Sequence, residues 1–198
     1  MFLKRLFDIL FSVIILIVLS PIFILVSILI IIDNGFPIFY LQKRVGKHFQ
    51  EFNLIKFRSM KKNADKKGLL TVGSNDNRIT QIGYYLRKLK IDELPQFINV
   101  LKGEMSVVGP RPEVKKYVDL YTNEQKLVLS IKPGITDYAS LKYIDENDIL
   151  SQSENPEKTY INKVMPEKLS INLEYIHHYS FWSDIKIIAQ TFFKMFFR

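Results

Sequence analysis

The chain of 198 residues carries 28 Lys and Arg against 20 Asp and Glu, a net charge of +8, with three histidines and no cysteine. That length suits one domain with its own core, and the missing thiols exclude a disulfide framework, a thiolate metal site and a cysteine nucleophile. His48, His177 and His178 share no HExxH-like spacing, which argues against zinc and against Ser-His-Asp chemistry.

The first predicted element is hydrophobic. From Ile9 to Ile32 the chain reads ILFSVIILIVLSPIFILVSILIII, 24 residues without a charge, after Lys4 and Arg5. The run is too long for a signal-peptide core, and no small-x-small cleavage site follows it. A straight helix of that length reaches about 36 Å, enough to cross a bilayer core of about 30 Å. Ser20-Pro21 interrupts it near its centre, however, and each arm alone reaches only about 18 Å. A Ser hydroxyl beside the break can satisfy a freed carbonyl. Basic residues on both flanks, Lys4 and Arg5 before and Lys43, Arg44 and Lys47 after, favour two cytoplasmic ends. The pattern predicts a hairpin that turns back, against the plainer alternative of a kinked spanning helix.

Residues 40–70 hold nine Lys or Arg against Glu51 and Asp65, a local balance of +7. Such a patch attracts phosphate, and its closeness to the apolar segment favours a membrane surface or a nucleotide substrate over nucleic acid. Residues 37–60 alternate in a strand-and-turn pattern around Gly46. In IKFRS the alternation places Lys56 and Arg58 on one face, where they either grip a phosphate or are solvated. The polar stretch 61–77 reads as a loop. In RITQIGYYLRKL, Ile79, Ile82, Leu86 and Leu89 stand at helical spacing with Arg78 and Arg87 off the stripe.

Next comes KIDELPQFINVLKG, in which Asp92 fits an N-cap, with Glu93, Leu94 and Pro95 in the first turn and Gly103 past the helix end. Two readings share that geometry. Either Asp92 caps and Glu93 favours the dipole, or a carboxylate held there attacks phosphorus while its neighbour binds a metal or takes a proton. Phosphoryl transfer would then need cations, which Lys56, Arg58, Arg87 and Arg111 can supply. Arg111 lies in MSVVGPRPE, a short strand followed by two prolines that hold the arginine at a set angle. Further on, Thr122 and Gln125 form a capping-box pattern, and KPGITDYAS turns into a strand or pocket edge. The acidic stretch 145–157 reads as solvated surface, and NPEKTYINKVM and PEKLSINLEYIHHY read as two helices with Pro166 in a permitted first-turn position. In the tail, Phe181, Trp182, Ile185, Ile188, Phe192, Phe193, Phe196 and Phe197 crowd one side, opposite Lys186, Gln190 and Lys194, a pattern that fits a core helix but favours a helix in the membrane interface.

KIDELPQFINVLKGEMSVVGPRPE, with QKRVG, KFRSM and NRIT upstream, KPGIT downstream and Ser20-Pro21 in the apolar segment, resembles the bacterial sugar transferase family, the monotopic phosphoglycosyl transferases in their small form. The likeness covers nearly the whole chain. It implies transfer of a sugar 1-phosphate from a UDP-sugar to polyprenyl (undecaprenyl) phosphate with release of UMP. It further implies Mg²⁺ as cofactor, Asp92 as nucleophile of a covalent phosphosugar intermediate, and Glu93 as metal ligand or base. Lys56, Arg87 and Arg111 match positions suited to the diphosphate, and Ser20-Pro21 bends a re-entrant helix. After PGIT many small members continue Gly-Trp-Ala-Gln, whereas this chain has Asp137-Tyr138-Ala139-Ser140, so the likeness leaves the sugar and the uridine contacts unassigned.

The expected architecture is a membrane-associated α/β protein: a re-entrant hairpin over 1–36, a small catalytic domain with short strands over 37–180, and an amphipathic interface helix over 181–198. The expected place is the cytoplasmic face of a bacterial inner membrane. A homo-oligomer and downstream glycosyltransferases stay open as partners, and no nucleic acid is expected. The alternative from another class is a non-enzymatic module that binds anionic lipid through the basic patch.

Overall fold

The computed structural model describes residues 2–64 and 76–196. Asp65, Lys66 and Lys67 of the basic patch, most of the predicted 61–77 loop, and Phe197 lie outside the described residues. Helices α1 (Phe2–Val18) and α2 (Ser20–Asn34) divide the apolar segment and meet at a bend of 60°. Pro21 sits in the first turn of α2, where its absent N–H costs nothing, and the Ser20 hydroxyl donates to the Ile17 carbonyl at 2.8 Å. Among the described residues no single helix is long and apolar enough to cross a membrane, while the bent pair is so by length and composition.

Polar contacts fasten both ends of this pair to the rest of the chain. Lys4 Nζ donates to Asp184 Oδ2 at 2.5 Å and to the Val108 carbonyl at 3.0 Å. Arg5 caps a helix end through the carbonyls of Val100 at 2.6 Å and Leu101 at 3.0 Å. Asp8 is buried and accepts from the Ser106 hydroxyl at 2.8 Å and the Val107 N–H at 3.0 Å. At the far end, Arg58 donates to the carbonyls of Asn34 and Gly35 that close α2.

Strands β1 (Phe39–Val45) and β2 (Glu51–Phe57) form the expected antiparallel hairpin, with Tyr40 opposite Lys56. Helix α3 (Gln81–Lys88) opens at Thr80, whose hydroxyl accepts the Gly83 N–H at 2.9 Å. Ile82 and Leu86 turn inward as their spacing predicts. Ile79 instead precedes the helix, bridged to Met60, and Leu89 is exposed past its end. A single 3₁₀ turn, Ile91–Glu93, then leads into α4 (Gln96–Lys102), which Gly103 ends in the left-handed region at φ 84°.

Strand β3 (Ser106–Val108) pairs in parallel with β4 (Gly134–Thr136). Between them lie α5 (Lys115–Val118) and a 3₁₀ helix, Gln125–Ser130, whose entry has both reciprocal bonds of a capping box: Thr122 N–H to Gln125 Oε1 at 2.9 Å and Gln125 N–H to Thr122 Oγ1 at 3.2 Å. Helices α6 (Tyr138–Lys142) and α7 (Glu146–Ser151) follow. The two helices predicted next run on as one, α8 (Pro156–Thr159), a π turn over Tyr160–Val164, and α9 (Met165–His177). Pro166 cannot donate to the carbonyl four residues back, and the wider π turn before it absorbs that loss without ending the helix.

The last helix, α10 (Phe181–Phe196), departs from its predicted stripe. Asp184 and Ile187 face inward, whereas Trp182 is 78% and Phe193 64% exposed. The attraction of Lys4 for Asp184 sets that rotation, which hydrophobic spacing alone does not contain. Val100, Met105, Val108 and Ile187 form the centre of one apolar core, and Phe11 and Ile15 of α1 pack against it. The apolar segment is therefore part of the domain's packing.

Candidate active site

Lys90 adopts the left-handed conformation at φ 56°, so the chain turns into the 3₁₀ segment one residue before Asp92. Asp92 therefore does not cap α4, which Pro95 precedes, and the capping expectation is corrected. Asp92 points inward and is only 4% exposed. Its carboxylate makes no hydrogen bond among the described residues.

Glu93 has the opposite surroundings. Arg111 grips both of its oxygens, with Nη1 to Oε2 at 3.0 Å and Nη2 to Oε1, and Lys56 Nζ reaches Oε1 at 3.0 Å. Such fork-to-fork pairing is the strong form of a carboxylate contact. Burial alone would push the Glu93 carboxyl up, but the charges of Arg111 and Lys56 and the Arg111 hydrogen bonds outweigh it and hold the group well below the usual carboxylate range. Asp92 is raised, first by burial and then by the adjacent Glu93 charge, with Lys56, Arg87 and Lys90 opposing. Burial lowers Lys56 against the pull of Glu93. Of two neighbouring acids, one is ionised and tied down, and the other is unbonded and reluctant to ionise.

The backbone beneath Arg111 explains its placement. Gly109 lies where β3 continues into the Pro110-Arg111-Pro112 stretch, Gly134 opens the neighbouring β4, and a Cβ on Gly134 would stand 2.1 Å from the Gly109 nitrogen. Only glycine permits that approach, which the Gly134 N–H to Pro110 carbonyl bond at 3.0 Å then uses. Asp137 is the second support. Its buried carboxylate accepts the Arg111 N–H at 3.0 Å through Oδ2 and the Ser140 N–H at 2.5 Å through Oδ1, so it caps α6 and holds the arginine's backbone together. Sequence reading passed Asp137 over; its signal was the N-cap pattern of Asp before Tyr138-Ala139-Ser140.

Lys56, Arg58, Arg87, Asp92, Glu93 and Arg111 all line one cavity of about 780 Å³. Lys56 and Arg111 meet at Glu93, and Arg87, in the last turn of α3, acts on Asp92 through its charge. Arg58 does not join them at the acids. It lies just beyond β2 and its Nη2 donates to the end of α2, so the two cations of IKFRS diverge despite sharing a strand face. Ser20 and Pro21 do not line the cavity that holds the acids, and the Ser20 hydroxyl bonds at the helix break. Phe11 and Ile15 of α1 and Leu19 at the bend after it, with Phe97 and Ile188, give the cavity an apolar lining. The acidic stretch expected to be solvated surface contributes Glu146 to the cavity, where it pairs with Lys168 at 2.6 Å.

Two adjacent carboxylates suit a Mg²⁺ ion shared with phosphate, since such ions take one or two carboxylates and complete their shell with phosphate oxygen and water. Among the described residues no group of three acids or histidines that could hold a metal is present, and both Glu93 oxygens already accept from Arg111 or Lys56, so an ion placed here would draw on Asp92 and share Glu93 with those cations.

Compared with known proteins, the chain matches the family described as Bacterial sugar transferase over residues 1–198. It is 36% identical over 193 residues to the UDP-N-acetylgalactosamine-undecaprenyl-phosphate N-acetylgalactosaminephosphotransferase of Aeromonas hydrophila, covering 96% of this chain and 43% of that protein. It is 37% identical over 191 residues to the uncharacterized sugar transferase EpsL of Bacillus subtilis (strain 168), covering 96% and 86%. It is 36% identical over 198 residues to the UDP-glucose:undecaprenyl-phosphate glucose-1-phosphate transferase of Escherichia coli (strain K12), covering 98% and 40%. The chain thus spans less than half of two of these relatives and most of the third.

Proposed function

The chain belongs to the bacterial sugar transferase family, and from that premise we propose that it transfers a sugar 1-phosphate from a UDP-sugar to polyprenyl phosphate, undecaprenyl phosphate in bacteria, and releases UMP. The observation that carries this reading is the split between the two acids: Asp92 buried and unbonded, Glu93 clamped by Lys56 and Arg111. A nucleophile needs an open oxygen, and of these two acids Asp92 is the one with oxygens left open among the described residues. A general base needs a pKa near the working pH, and Glu93 is held too low for that. This supports Glu93 as the group that gathers cations around the transferring phosphoryl.

In the first step an Asp92 oxygen attacks the sugar-bearing phosphorus of the donor. The bond from that phosphorus to the bridging oxygen breaks, and UMP departs with the oxygen. In the second step a phosphate oxygen of the lipid attacks the same phosphorus, the Asp92–phosphorus bond breaks, and the carboxylate is restored. The equatorial charge falls to Lys56, Arg87 and Arg111. Mg²⁺ held by Asp92 and Glu93 would neutralise diphosphate charge when bound. The apolar lining from α1 and α10 suits a lipid-borne acceptor.

Both ends of the bent α1–α2 pair fasten to the same domain, Lys4 and Asp8 at one end and Asn34 at the other. That supports a re-entrant anchor with the catalytic domain on the cytoplasmic face, and α10 lying at the interface through Trp182 and Phe193.

The test is Asp92→Asn in the full chain with Mg²⁺ and polyprenyl phosphate. We expect UMP release to fall at least about 10³-fold while the protein stays folded and membrane-bound. Wild type incubated with labelled donor and no acceptor should carry the phosphosugar on Asp92. Retained turnover in the variant would remove the nucleophile assignment. Silence of the wild type over a broad donor panel, with salt-sensitive vesicle binding, would favour a lipid-binding module.

A further inference from the structure

The cavity carries a second set of polar side chains that the chemistry at Asp92 does not use. They form an unbroken series of contacts. Arg44 Nη1 pairs with Glu113 Oε1 at 2.9 Å and also donates to the Pro112 carbonyl at 3.0 Å. The other Glu113 oxygen accepts the Tyr160 hydroxyl. Lys168 Nζ lies 6.0 Å from the centre of the Tyr160 ring and 2.6 Å from Glu146 Oε2. All five line the cavity that holds Asp92 and Arg111.

We propose that this polar end of the cavity, closed by the Glu146–Lys168 pair, is the subsite that recognises the glycosyl group of the donor. The inference rests on the transferase reading above and deepens it. Three observations favour it. Glu113 stands two residues after Arg111 and its partner Arg44 holds the intervening Pro112 carbonyl, so the series begins beside the diphosphate-binding arginine, and at its other end the Glu146 charge still acts on that arginine. The Lys168 and Glu146 side chains keep 13% and 24% exposure, enough to be reached from the cavity yet mostly shielded from solvent. The alternation of carboxylate and cation matches the chemistry of a sugar. Each ring hydroxyl both donates and accepts, so a vicinal pair can take one contact from the carboxylate and one from the ammonium.

The supports are rigid. Tyr160 opens the π turn, Lys168 lies on α9 and Glu146 begins α7. Side chains held on helices read small differences in hydroxyl orientation better than mobile loops. A site that bonds a hydroxyl rejects the epimer that leaves its buried polar groups unpaired.

The experiment uses the full chain with Mg²⁺ and polyprenyl phosphate, and follows UMP release from UDP-glucose, UDP-galactose and their two N-acetylhexosamine counterparts. Glu146→Gln and Lys168→Met should each lower kcat/KM for the preferred donor by about 10- to 100-fold and reorder the panel. Inhibition by free UMP should stay within about twofold of wild type. The paired exchange Glu146→Lys with Lys168→Glu keeps the ion pair, guards against misfolding, and should also reorder the panel. UMP inhibition that weakens in step would assign this end to the nucleoside and overturn the proposal, as would an equal loss on every donor. A wild type silent on all donors overturns the transferase reading and this one with it. Wild-type turnover with an unchanged ranking in all variants overturns this one alone.

Discussion

Replacing Glu93 removes the carboxylate that pairs directly with Lys56 and Arg111 and leaves them only the more distant charges of Asp92, Asp137 and Glu146. The folded-state pKa of Glu93 is depressed below its ordinary 4.5, so its stabilisation is present above about that pH and lost as pH falls through the lower folded value. Glu93→Gln should therefore cost about 2 kcal/mol at pH 7, a figure discounted because the Arg111 side chain is 33% exposed. Thermal melts from pH 3 to 7 should show a flatter acid side for the variant than for wild type. Asp92 has the opposite sign. Its raised folded pKa means that ionisation works against folding, so Asp92→Asn should raise Tm at neutral pH even as it removes turnover. For the same reason the acid limb of kcat/KM should lie above the ordinary Asp value of 3.8, and a pH–rate profile measures it. Both acids were legible in the chain. Their division of labour was not, because it depends on which way each side chain leaves a three-residue turn.

Elements here are joined by buried charge as much as by apolar packing. Lys4 on α1 meets Asp184 on α10, and the Tyr175 hydroxyl on α9 donates to the other Asp184 oxygen at 2.6 Å. Asp184 is 2% exposed, so Lys4→Met strands a buried carboxylate and should cost about 3 kcal/mol, read by denaturant unfolding in detergent. The double variant with Asp184→Asn should recover part of that loss, since the two changes share one interaction. At this scale the capping box at Thr122, the Gly103 stop and the four short strands were readable from local pattern. The merged α8–α9 run was not, because a π turn before Pro166 is a response to the whole helix. Nor was the use of Arg58 to close α2, whose partners lie 23 and 24 residues earlier in the chain.

As a whole the molecule is a small α/β body with a bent apolar helix pair fastened to it at both ends. If that pair dips into a bilayer and returns, its ends share one side. The chain has no cysteine, so Phe2→Cys and Lys61→Cys can be labelled singly in intact membranes, and both should react with an impermeant reagent from the cytoplasmic side only. Labelling from opposite sides would make the pair a kinked span. The sequence by itself determined the bend, the acidic pair, the glycine and proline punctuation and the family, because each is a local pattern of a few adjacent residues with its own steric or electrostatic cause. Only the tertiary structure decided that Glu93 is clamped while Asp92 stays unbonded among the described residues, that Arg58 closes α2, that Asp137 holds Arg111, and that Glu146 turns into the cavity. Each of those depends on contacts between segments far apart in the chain, and a buried charge takes whichever partner the fold brings within reach.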